Sequence, residues 1–548
     1  MMILFIMKIK KMMNKFLALL FLVFSFVSCS SIKEPSEVFK MPDYTEEDVR
    51  NNEIKRIAKI AETNITKALW RSLLLNDSEL VQKYEDLIFE ELKNAVAEQK
   101  FFDSWRLYGT LKTVGYSRLS ELPVSEKQIF NSYLADVPGI IPNSKLLPKT
   151  IQNCIDATVT IWVDKGIAIQ NGMGYADRVL GSGFFIDKRG YIITNHHVIN
   201  DMVDPKYEGY SRLYIKLASD QDTRIPAKVV GYDSVIDLAL LKVEIDPPFI
   251  LALGSSHDLH IGDKVSAIGT PLGLHGTLTS GIVSAVDRKL FTSGNVLQID
   301  TAVNSGNSGG PLIDGNLKVQ AVVFAGIMQY QGLNFAIPVE YLRQDLPFLF
   351  NGGKREHVWV GAYGHTKREA NKNLGLEVQY AMPGGVAFRA GLKKGDVITE
   401  LNGIKIYTID NAQDVFRNFC SGSIVLCKYL RDEKEYSAFL YLEKRPEQPG
   451  YEIYCSDLLS GSMIPILGME LTPNSTMSSK KYVISDILRG SVADESGFSV
   501  TDPVTIHDIE FSPEKDAISI TLSTRKKKKG YLDVTMQMGA SLDSPYYF

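Results

Sequence analysis

Cysteine is scarce in this chain, with five in 548 residues. Cys154, Cys420, Cys427 and Cys455 are scattered and show no C-x-x-C spacing. That scatter argues against a disulfide framework and against a thiolate zinc site. A Cys420–Cys427 bridge is the one pairing left open, and unpaired buried thiols are the expectation. Histidine is also sparse, at eight residues, and the pair His257-x-x-His260 has no third ligand suggested nearby, so no metal is expected. Excess charge is missing too. Sixty basic against 64 acidic side chains leave a net charge of −4 and no electrostatic footprint for nucleic acid. The apolar run Phe16–Val27 is too short to span a membrane. Partners must therefore be read from sites and not from bulk properties.

What is present at the N-terminus is a targeting pattern. Lys8, Lys10, Lys11 and Lys15 precede the apolar run, and Ser28-Cys29 closes it. A small residue before a cysteine at that point resembles the lipobox of bacterial lipoproteins, which implies that Cys29 carries lipid and begins the mature chain. Residues 1–28 are then a signal peptide, and 29–44 a polar tether with Pro35 and Pro42. From 45 to 136 the pattern is helical, with Leu80, Tyr84, Leu87, Ile88, Leu92 and Ala95 spaced along one face. Trp70-Arg71 and Trp105-Arg106 lie 35 residues apart, a repeat-like spacing in two copies only. Pro138, Pro142 and Pro148 mark a boundary. Residues 150–350 alternate β-branched runs with glycine-rich turns, the pattern of an all-β barrel. Two further units follow, at 357–443 and 451–548, separated by the proline-rich linker near Pro446.

Three segments of the β region carry chemistry: Thr194-Asn195-His196-His197-Val198, Asp237-Leu238-Ala239-Leu240-Leu241, and Gly306-Asn307-Ser308-Gly309-Gly310-Pro311. Hydrolysis of a peptide by serine needs a base for the hydroxyl proton, a group that holds the base in one tautomer, and donors for the oxyanion. Glycines around Ser308 let the chain turn so that the hydroxyl and the N–H groups of Gly306 and Ser308 face one oxygen. The order His, Asp, Ser at spacings of 40 and 71 residues is that of the chymotrypsin architecture.

On these residues the chain resembles the HtrA/DegP family of trypsin-fold proteases. Thr194-Asn195-His196-His197-Val198 matches the family's Thr-Asn-x-His-Val, which makes His197 the base, with Asp237 orienting it and Ser308 as nucleophile. The resemblance implies a chymotrypsin-like double β-barrel, no cofactor, no metal and assembly as trimers. Ser305 stands where the family commonly has proline, which would leave the oxyanion loop less rigid. Residues 357–443 resemble the family's PDZ domain through Trp359-Val360-Gly361-Ala362, Pro383-Gly384-Gly385 and Ala390-Gly391-Leu392. Trp359, Val360, Gly361 and Ala362 then correspond to the loop that binds peptide C-termini. Tyr482–Gly497 echoes this pattern, so 451–548 is expected to be a degenerate PDZ-like domain. The expected function is envelope proteolysis of unfolded or misfolded proteins, lipid-anchored and facing the periplasm. The other reading is a holding chaperone in which cleavage is secondary.

Overall fold

The computed structural model describes residues 35–548 except 36, 171, 204–210, 271–275, 290–293, 304–305, 327–332, 475–479 and 529. Cys29, the signal segment and Ser305 lie outside the described residues. Two compact units emerge, residues 39–449 with 543–548, and residues 450–542.

In the larger unit five α-helices, Glu47–Ala61, Ile65–Leu75, Ser78–Ala97, Phe101–Val114 and Glu126–Ala135, come first. Side chains of Asn64, Asp77 and Ser125 cap the second, third and fifth by accepting backbone N–H groups that have no partner within the helix. Most of the expected apolar face of Ser78–Ala97 is buried, but Leu87 is exposed and Phe89 takes its place in the core. The face is set by the neighbouring layer. Trp70, Ile88 and Leu92 share one hydrophobic core with Leu376, Val425 and Leu440 of the fold that follows the protease region. The Trp70 indole N–H donates to the Phe439 carbonyl at 2.8 Å, and its ring stacks on Tyr441.

Between these layers in sequence lies the all-β region. Its first half is an eight-stranded sheet built from residues 158–242, completed at one edge by Gly353–Lys354, and its second half is a closed six-stranded barrel. The halves bury Phe184, Ile193, Leu240, Ile268 and Val322 in a common core, which the helix Val339–Asn351 covers. Residues 358–444 then form a six-stranded sheet, a two-stranded pairing of Val358–Trp359 with Glu443–Lys444, and two helices, Val386–Arg389 and Ile409–Arg417.

The smaller unit is a five-stranded antiparallel meander, 469–473, 481–487, 503–511, 517–528 and 530–541, with its own core around Met463, Ile484, Ile506 and Ile520. At the turn end of the last hairpin, Arg525 on the fourth strand pairs with Asp533 on the fifth. Cys154, Cys420, Cys427 and Cys455 are all free, so the Cys420–Cys427 bridge is not formed. Among the described residues no helix is long and apolar enough to cross a membrane.

Candidate active site

The strand Tyr191–Thr194 pairs with Leu238–Lys242, placing Thr194 opposite Ala239. This register sets the residues just before and after the pair side by side. His197 is the second residue of the helix His196–Val203, and Asp237 is the last residue of the turn leading into the second strand. Asp237 adopts φ +60°, in the left-handed region. Its conformation is held from both sides. Asn195 Nδ2 donates to the Asp237 carbonyl at 2.8 Å, and the Asp233 carboxylate accepts the N–H groups of Val235 and Ile236. The Asp237 carboxylate accepts the backbone N–H of His197 at 2.8 Å and faces its Nδ1 at 2.7 Å. A hydrogen on Nδ1 leaves the Nε2 lone pair free to take a proton. His196 points elsewhere. It stacks on Tyr232 with ring centroids 5.1 Å apart, and burial pushes its pKa below the ordinary value.

Ser308 sits in the turn before the strand Pro311–Ile313. Gly309, at φ +85°, could carry no side chain, because a Cβ would lie 2.2 Å from the Ser182 carbonyl and 2.3 Å from Thr194 Oγ1. Ser182 fastens the turn to the first half of the β region. Its N–H donates to the Ser308 carbonyl at 2.8 Å and its hydroxyl to the Gly306 carbonyl at 2.6 Å. The sequence reading gave Ser182 no part in the site, although it stands in Gly181-Ser182-Gly183. The signal was there: a small hydroxyl residue between two glycines, buried where two chain segments meet. Among the described residues, neither the Gly306 nor the Ser308 N–H has an acceptor. The Ser308 hydroxyl donates to the Phe324 carbonyl at 3.2 Å, and not to His197.

A buried charge cluster lies where the protease region joins the next fold. His357 Nε2 is 2.7 Å from Asp233, the residue that shapes the Asp237 turn. Burial opposes the charged form of Asp233, but the His357 charge and hydrogen bond outweigh it and hold the carboxyl below the usual range. Asp345 is equally buried. Burial and the neighbouring Asp233 carboxylate push its pKa well up, while Arg355, 3.8 Å away, opposes them.

The segment Trp359–Ala362 bends at Gly361, φ +75°. Val360 and Gly361 turn their carbonyls inward, accepting N–H groups from Ala387 and Met382. Ala362 is buried, and it exchanges both of its main-chain hydrogen bonds with Phe548, each at 3.0 Å. Among the described residues no cluster of three or more potential metal ligands occurs.

Family models match four stretches: a domain of unknown function at 48–133, a trypsin-like peptidase domain at 181–322, a PDZ domain at 377–428 and a TP0546 family PDZ domain at 450–542. A probable periplasmic serine endoprotease, DegP-like, from Marinomonas sp. is 35% identical over 49% of this chain and 58% of its own length. The chain thus spans little more than half of that relative. The corresponding protein of Brucella suis is 30% identical, over 67% of this chain and 72% of its own length. A solved serine endoprotease from Yersinia pestis aligns at 27% identity over 55% of this chain and all of its own, with a TM-score of 0.41. By the Brucella match, which extends over two thirds of this chain and 72% of the relative, this protein belongs to the family of DegP-like serine endoproteases.

Proposed function

We propose that the chain is an envelope serine endopeptidase that cleaves unfolded or misfolded proteins. His197 would take the Ser308 proton as the hydroxyl attacks the scissile carbonyl, and return it to the leaving amine. Asp237 would hold the imidazole and stabilise its charged form. The N–H groups of Gly306 and Ser308 would receive the oxyanion. The observation that carries this reading is the doubly bonded Asp237–His197 pair, set by strand register opposite a serine turn that Ser182 ties down. The hydroxyl now donates to Phe324, so the attack begins with its rotation toward Nε2.

The relatives named periplasmic support a location facing the periplasm. Cys29 would be lipidated and tether the chain to a membrane. Trp359, Val360, Gly361 and Ala362 would border a groove for peptide C-termini, and assembly as trimers follows the family resemblance.

Ser308→Ala and His197→Ala should each lower cleavage of denatured casein by about 10⁴-fold or more, and His196→Ala by less than about tenfold. An active His197 variant beside an inactive His196 variant overturns the assignment. Suppression of aggregation by Ser308→Ala measures the chaperone reading separately.

A further inference from the structure

The edge strand Ala362–Glu369 would leave a row of unpaired main-chain groups facing the helix Ile409–Arg417. That space is filled by residues of the same chain. Phe548 exchanges two hydrogen bonds with Ala362, Gly364 N–H donates to the Tyr546 carbonyl at 3.0 Å, and Tyr547 lies antiparallel to Tyr363. The segment is an added strand in the groove, held by main-chain bonds. Its side chains are seated as well. Phe548 is 3% exposed, stacks on Phe416 of the helix, and lies so close to Gly364 that a Cβ there would be 3.0 Å from its ring. Tyr547 is equally buried against Tyr363, and Tyr546 stacks on His365 with centroids 4.0 Å apart. Gln413, also on the helix, donates to the Pro545 carbonyl, and Asp543 pairs with Arg445 at the segment's start.

We propose that Pro545–Phe548 is a built-in ligand of this groove, and that an outside partner binds by displacing it. The pockets define that partner as an extended polypeptide with a phenylalanine at the Phe548 position and aromatic residues directly before it. Covalent attachment gives the resident segment a high effective concentration, on the order of millimolar for short tethers, so only a well-matched competitor enters. Val235, two residues before Asp237, lines the same small cavity as Tyr547 and Phe548, so exchange of the occupant borders the turn that presents the carboxylate. The inference rests on the groove being a peptide site, as proposed above.

The test uses the full chain carrying Ser308→Ala, which removes cleavage of the probe, and a fluorescein-labelled peptide of sequence SLDSPYYF. Phe548→Asp should tighten its binding at least about tenfold. Asp543→Asn, which lies outside the groove and loosens only the tether to Arg445, should tighten it by about two- to fivefold. Hydrogen exchange at the Ala362 and Gly364 amides should speed up in Phe548→Asp, while protection of 424–441 stays as it was, showing that the variant is folded. Equal affinity in all three chains overturns the built-in ligand and leaves the peptide site standing. No binding to any of them overturns both. Neither result bears on casein cleavage, which tests the triad alone.

Discussion

Residues 362–441 and 469–541 begin alike. Each runs through a hairpin, a one-turn helix (Val386–Arg389 or Val492–Glu495) and a returning strand. They part after that strand. The first continues through Ile404–Lys405 into the helix Ile409–Arg417, started by Thr408, whose side chain accepts the Asn411 N–H. The second turns at Ser512–Asp516 straight into its last two strands, with no helix there. A peptide groove needs an edge strand on one side and a helix on the other. The second domain keeps the sheet but places its helix Leu459–Leu467 before the first strand, where it packs into the domain's core, so the same strand pattern is framed by helices in two different ways. The cores differ too. The first domain shares its core with the helical layer, whereas the second encloses its own.

The sharpest way to break this comparison is through the cores. Trp70→Ala removes a side chain that is 1% exposed together with its hydrogen bond to Phe439, and should cost about 3–5 kcal/mol. Native-state hydrogen exchange should show lost protection in residues 358–441 and unchanged protection in 469–541. Equal losses in both would mean that the second core is not its own.

A smaller effect isolates the groove. Tyr546→Ala deletes the stack on His365, worth about 0.5–1.5 kcal/mol, and should tighten binding of the labelled peptide to the Ser308→Ala chain by roughly two- to tenfold. Unchanged affinity would leave the stack without a part in holding the segment.

The smallest expected effect is on pH. Burial pushes the His365 pKa below its ordinary value of 6.5, with Lys289 acting the same way and Glu377 opposing, while Tyr363 Oη sits 3.0 Å from Nε2. Tyr546 supplies part of that cover. A histidine whose pKa is depressed in the covered state favours that state above 6.5, and the preference is lost as the pH falls through 6.5 and below. Protection of the Gly364 amide, corrected for its intrinsic exchange rate, should therefore fall a few-fold from pH 7.5 to 5.5 in the Ser308→Ala chain, and His365→Asn should flatten the profile.

The proposed site was legible because each side chain assigned to it travels with a local backbone requirement. Glycines flank Ser308, His197 follows a buried strand, and Asp237 precedes an apolar run. Those requirements are short-range and leave marks in the sequence. The direction of the Ser308 hydroxyl was not legible, since it depends on Phe324, sixteen residues away across the barrel. Trp70 read as half of a repeat, and its partner Phe439 lies 369 residues further on, beyond any periodicity. Leu87 fitted the helical spacing and is exposed, because the period marks a face without saying how wide the covering layer is. The segment Pro545–Phe548 has no period at all. It forms a strand only because an edge and a helix are there to receive it.

The left-handed backbone of Asp237 also limits what evolution can place there. That conformation costs most side chains roughly 1–2 kcal/mol, and glycine, asparagine and aspartate visit it most readily. Of these three, aspartate alone brings a negative charge to His197. Glutamate keeps the charge and strains the turn, while asparagine keeps the turn and loses the charge. The position is thus filtered twice, once by backbone and once by chemistry, and a single residue passes both filters.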